Sequence, residues 1–325
     1  MERPEGRGLG AALGLVTVLM WGTQFTVSKV LFRHVDAFAV TAIRYGFGGT
    51  LLGTILLARE GRGAFRLGEH ARKAWLLGPA GVVGSVLLVY IGLQHTRAQN
   101  AALMVALQPL LMAIWLRLSG RGRLARSTGI TIGIAFVGTL FVISKGDPRT
   151  FVGGGIGWGV ILCFFGQFTW ILYTSELPLF TGWSVLRTTA LTSITGGVAV
   201  LVIFAAVWSS GVSKPDFGGL GGDVWFAVWM VLGPTVAAIF LWNTGRMLLG
   251  AQDIAVFMYL IPVVAFITES IRGYHPGPAE GVAAAVVVAA LVGDYVAQRR
   301  ARRARPSLAG RGAPVMAEAP AVPDS

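Results

Sequence analysis

Residues Met20–Val30 read "MWGTQFTVSKV", and residues Phe165–Ser175 read "FGQFTWILYTS". Each stretch sets a glutamine inside a long apolar run. The tripeptide Gln24-Phe25-Thr26 returns as Gln167-Phe168-Thr169, 143 residues later. The spacing is not isolated, because Arg44 and Arg187 are also 143 apart. Ala98-Gln99-Asn100 returns as Ala251-Gln252-Asp253, and Pro109 as Pro262, both at a spacing of 153. Leu77-Gly78-Pro79 resembles Leu232-Gly233-Pro234 with a two-residue slip. The chain reads as two copies of one unit, with ten extra residues entering near the middle of the second.

Composition sets the solvent of that unit. Of 325 residues, 54% are apolar and only 13% charged, with mean hydropathy +0.68. A soluble domain carries about 25% charged residues, so this chain is built for a bilayer. The net charge of +12 does not point to nucleic acid, since the arginines fall in short loops and a C-terminal tail, not along one amphipathic face. Cys163 is the single cysteine, so no disulfide can form within the chain. The first apolar segment lacks a small-residue cleavage signal and reads as retained.

A spanning helix takes about 20 mostly apolar residues. Ten such segments are expected, at 9–31, 37–58, 74–94, 98–118, 127–144, 155–175, 180–208, 223–245, 252–272 and 278–297. The fold class is therefore all-α integral membrane. Residues 298–325 are rich in Arg, Pro and Ala without periodicity and read as a flexible basic cytoplasmic tail. With the N-terminus inside, 18 loop and tail cations face the cytoplasm and six face outward. The positive-inside rule then puts both termini in the cytoplasm, and the plasma membrane is the expected location. Each unit has five helices, an odd number, so two copies (9–144 and 155–297) must be inverted relative to each other. Inverted repeats place a substrate site near the midplane between halves.

The motifs support this reading. Trp21-Gly22 and Lys29 in the first segment, Arg44 in the second, and "AQNAALMVALQP" over Ala98–Pro109 together resemble the EamA-type branch of the drug/metabolite transporter superfamily. The likeness covers about 9–297. It implies a ten-helix transporter of small molecules working by alternating access. Two departures stand out. Gln108 occupies a position where the family often has Glu, and Ser119-Gly120-Arg121 and Gly273-Tyr274-His275 stand where it tends to have Gly-Glu.

The candidate pathway follows from polar groups in apolar segments. Gly14, Thr17, Trp21, Gln24 and Ser28 are spaced three or four apart and share one helical face. Lipid offers Gln24 no hydrogen-bond partner, so that face must meet protein or a wet cavity, as interhelical glue or as cavity wall. Gln167 repeats the argument with a thinner stripe. Pro79, Pro109, Pro234 and Pro262 fall inside helices and free backbone carbonyls, which shapes either a kink or a cavity. Gln108 and Tyr259 adjoin two of these breaks. Arg44 and Arg187 each stand about seven residues into a segment, where a central arginine costs about 2.5–3.5 kcal/mol unless it snorkels to the interface. Lys29 reads as snorkelling, Asn100 and Asp253 as helix caps, and Trp75, Trp183 and Trp225 as interfacial anchors. Glycine pairs four apart, at 10/14, 49/53, 129/133 and 153/157, speak for close helix packing and leave a homodimer open.

No metal-spaced cluster and no phosphate-cradling loop occurs, so neither an enzyme nor a cofactor is expected. Deep carboxylates are absent, with Glu176 and Glu269 the acids nearest the bilayer. The expected function is secondary transport of a small metabolite or amphipathic compound, by export. Uptake or exchange of an anionic metabolite is the alternative that Arg44 and Arg187 favour. A non-transporting receptor or assembly subunit is the alternative of a different class.

Overall fold

In the computed structural model, residues 4–121, 157–249 and 256–275 are described without a break, together with scattered positions among 130–138 and 277–297 and at Ile254. Among the described residues all regular structure is helical. The elements are α1 (Pro4–Leu31), α2 (Ala37–Glu60), α3 (Ala71–Pro79), a π-helical segment (Ala80–Leu87) and α4 (Leu88–Gln94). They continue through α5 (Ala98–Ala106), α6 (Gln108–Leu118), α7 (Trp158–Glu176), α8 (Val185–Ser209) and α9 (Val224–Met230). A second π-helical segment (Val231–Ala237), α10 (Ala238–Leu249), a 3-10 turn (Val256–Leu260) and α11 (Ile261–Ile271) complete them. Seven continuous helical stretches are long and apolar enough to cross a membrane, and Phe257–Ile271 is a shorter apolar one. The protein is an all-helical, multi-pass membrane protein. Most of the expected fifth helix, part of the tenth, the tail, Ala251-Gln252-Asp253, Gly129 and Gly153 lie outside the described residues.

The prolines act on the backbone as their chemistry requires. Pro79 and Pro234 each carry no N–H, and both fall at π-helical turns in otherwise continuous helices. In the second, the Ala238 amide donates five residues back to the Gly233 carbonyl. The Met230 carbonyl, which Pro234 cannot serve, accepts instead from the Thr235 hydroxyl at 2.8 Å. Near the first, Thr195 of α8 donates across helices to the Ala74 carbonyl at 2.9 Å. Pro109 and Pro262 both stand in the first turn of a new helical segment, just past a break at Leu107 and at the 3-10 turn respectively. The segment expected at 252–272 is thus not one regular helix in its described part.

Two local readings need correction. The helix expected at 180–208 starts at Val185, because Pro178 and Gly182, at φ 77°, bend the preceding residues into a turn. The Ser184 hydroxyl then caps it, accepting from the Arg187 amide at 2.9 Å. Asn100 does not cap α5, since it lies inside the first turn and donates back to the Thr96 hydroxyl at 3.1 Å.

Packing follows the small and polar faces. α1 runs along α10 and α11, α7 along α4 and the first π segment, and α2 along α8. α4 and α7 meet backbone to backbone: a Cβ on Gly159 would stand 3.0 Å from the His95 side chain and closer still to the Gly92 carbonyl. The stripe on α1 points inward, with Thr17, Trp21 and Ser28 buried and Leu15 and Leu19 on the outer surface. The bundle has two polar ends. One joins Arg121 to Glu176, Ser184 to Glu60, and Lys73 to the Leu179 carbonyl. The other joins His34 to Asp223 at 3.2 Å and Arg97 to the Tyr274 hydroxyl at 2.9 Å.

Candidate functional site

Midway between those ends lies a cavity of about 90 Å³. At about 30 Å³ per molecule it holds a few waters or one small solute. Its wall comes from nearly every described crossing: Trp21 and Gln24 of α1, Arg44 of α2, Ser85 and Tyr90 of the third crossing, Gln108 of α6, Gln167 and Trp170 of α7, Pro234 of the second π-helical segment and Ile239 of α10. Most of the wall is apolar or aromatic, which leaves the few polar groups to orient whatever enters.

Those groups form two sets. In the first, Arg44 donates through Nε to the Thr235 hydroxyl at 2.8 Å and through Nη1 to the Tyr90 hydroxyl. Tyr90 passes the bond on, donating to Gln24 Oε1 at 3.3 Å. The guanidinium also lies 5.2 Å from the Tyr90 ring centre and 5.8 Å from that of Tyr45. Thr235 can hold Arg44 because its own proton is committed to the Met230 carbonyl. The proline break therefore seats the arginine. In the second set Gln108 donates through Nε2 to Gln167 Oε1 at 2.5 Å, while Gln108 Oε1 is buried with no partner among the described residues. Trp21 ties α1 to two other helices, its indole donating to the Pro234 carbonyl at 3.0 Å and its ring meeting Trp170 edge-on at 6.2 Å.

Five residues singled out from sequence thus meet at one cavity: Trp21, Gln24, Arg44, Gln108 and Gln167. Pro109 opens α6 directly after Gln108. Tyr259 and Pro262 are buried beside the cavity but off its wall, which their neighbours Met258 and Ile261 occupy instead. Arg187 is elsewhere. It sits in the first turn of α8 at a bundle end, donating to the Arg66 carbonyl at 2.7 Å and lying 4.7 Å from the Trp183 ring centre. Glu176 is at that same end with Arg121, and Glu269, on α11, keeps Oε1 buried without a partner among the described residues. Sequence reasoning passed over Tyr90 and Thr235. A tyrosine in an apolar span needs a partner for its hydroxyl, and a threonine following a helix-breaking proline is placed to serve a freed carbonyl, so both carried a signal.

Known proteins resemble this chain along most of its length. Residues 8–144 match the EamA-like transporter family. The uncharacterized transporter YyaM of Bacillus subtilis (strain 168) is 30% identical over 249 residues, covering 76% of this chain and 80% of its own. The uncharacterized transporter YrdR of the same organism is 28% identical over 297 residues, covering 90% and 92%. A solved crystal structure superposes with a TM-score of 0.65 at 19% identity, over 90% of this chain and 99% of the other. That last likeness concerns the fold alone.

Proposed function

The chain belongs to the EamA-like transporter family, and from that premise we propose that it is a ten-helix secondary transporter working by alternating access. Its halves, 9–144 and 155–297, are inverted five-helix repeats followed by a cytoplasmic tail. The observation that carries this is the central cavity, walled from both halves and holding Gln24 and Gln167, the repeated residues, together. The packing is consistent with a two-fold relation: exchanging each crossing with the one five places on turns the α1–α10 contact into the α7–α4 contact, and returns the α2–α8 contact to itself. The paired proline breaks and the glycines Gly92 and Gly245, 153 apart on corresponding helices, agree with it. The proposed setting is the plasma membrane with both termini cytoplasmic, and the proposed direction is export of a small molecule.

Purified protein in liposomes should exchange at least one small solute across the bilayer in a saturable way. Failure with a broad solute panel, by protein that remains folded, would leave the receptor or assembly-subunit reading. For orientation, single cysteines are introduced in a Cys163→Ala background, a mild change at a buried thiol. One at Gly63 should be shielded from an impermeant thiol reagent in intact cells, and one at Gly218 should label. The reverse pattern would overturn the proposed topology.

A further inference from the structure

We propose that the solute is a small organic monoanion with an apolar body, recognised through its carboxylate by Arg44. This rests on the transport reading above and narrows it to a substrate class.

The charge of Arg44 is unbalanced. Arg44 is 3% exposed, in the middle of a membrane-spanning bundle. An arginine so placed is costly, and such residues pair with another ionisable group or with backbone carbonyls. Among the described residues no carboxylate pairs with Arg44. Its partners are two neutral hydroxyls and two aromatic rings. A guanidinium has five N–H donors. Thr235 and Tyr90 take Nε and Nη1, and Nη2 makes no hydrogen bond among the described residues. The side chain is fixed from two sides and still has donors to offer, on the wall of an open cavity. A bound carboxylate would supply the missing counter-charge and accept from the planar fork.

The rest of the wall restricts the class. Among the described residues no acid lines the cavity, so an ammonium group entering beside the carboxylate would be desolvated without a counter-charge. Gln108 Oε1 has no partner among the described residues and can accept a hydrogen bond, but a neutral amide oxygen cannot balance a charge. Organic cations meet Arg44 with like charge. Amino acids lose on their ammonium what they gain on their carboxylate. The apolar remainder, including Trp170, Ile239 and Met258, suits a hydrocarbon or aromatic body, and the cavity volume keeps it small.

Three probes with one body separate these cases: isovalerate, its neutral amide isovaleramide, and valine, which is isovalerate with an α-amino group. Binding to purified protein in lipid nanodiscs is measured by titration calorimetry at neutral pH, where passive permeation of the acid does not interfere. Isovalerate should bind at least about ten-fold more tightly than either of the others, as a charge-assisted contact implies. Arg44→Gln should bring the isovalerate-to-isovaleramide ratio near one, and Arg44→Lys should keep an anion preference. Should Arg44→Gln not fold, the wild-type ratios and Arg44→Lys decide. The proposal is overturned if none of the probes binds, if wild type fails to prefer isovalerate, or if Arg44→Gln keeps the wild-type preference. Exchange of a neutral or zwitterionic solute by the same preparation in liposomes would then show that the transport reading stands while the anion class falls. Absence of any exchange would remove both.

Discussion

Arg44 and Arg187 stand 143 residues apart, the same spacing as the two Gln-Phe-Thr tripeptides, yet they live in opposite surroundings. Arg44 is the eighth residue of α2 and is sealed among Tyr90, Thr235 and Tyr45 at the cavity. Arg187 is the third residue of α8, stacked on Trp183 at a bundle end and bonded to a loop carbonyl. The difference arises locally. Asp36 caps α2 through the Ala39 amide at 2.9 Å, just before Ala37. In the second half Pro178 and Gly182 delay the helix, and Ser184 caps it five residues later than the expected start. A repeat preserves sequence position, whereas depth in the bundle depends on where the helix begins. One arginine thereby reaches the cavity wall and its counterpart stays at a bundle end.

This contrast can be tested by replacing the two residues alike. Arg44→Gln should lower solute exchange in liposomes by about ten-fold or more, since it removes a charged contact worth about 1.5–3 kcal/mol. Arg187→Gln should stay within about two-fold of wild type, because exposed charged contacts contribute about 0–1 kcal/mol. Equal losses in both would mean that the halves contribute symmetric arginines to the pathway after all.

The glutamines sharpen the comparison on a smaller scale. Gln167 is 5% exposed and accepts the only hydrogen bond that Gln108 Nε2 makes among the described residues. Gln167→Leu should therefore cost about 1–3 kcal/mol of stability, the penalty of leaving a buried donor unpaired, read as a lowered midpoint in thermal or denaturant unfolding. Gln24 is half-buried and takes a longer bond from Tyr90 at 3.3 Å. Gln24→Leu should leave stability near wild type and weaken solute binding several-fold, on the order of 0.5–1.5 kcal/mol. If both variants lose stability and neither loses affinity, the repeated tripeptide serves packing in both halves.

Much of the molecule was legible in the chain itself. Apolar length specified a multi-pass helical membrane protein, because a bilayer forces the backbone to satisfy its hydrogen bonds within each segment. The polar residues of those segments had to turn inward for the same reason, and Trp21, Gln24, Arg44, Gln108 and Gln167 do. Identity alone settled that they avoid lipid. It could not settle whom they meet. The Arg44 seat joins residues 44, 90 and 235, and the Gln108–Gln167 pair spans 59 positions, so each depends on how whole helices pack. Helix starts were the other gap, since a cap and a turn compete over a few residues with energies near 1 kcal/mol, too little to read from a periodic apolar pattern. Sequence thus determined the solvent of each segment and which side chains must hide from lipid. Only the tertiary structure decided that the hidden groups surround one cavity, and that one arginine of the repeated pair lies in it, because depth and partnership are properties of packed helices and not of any single one.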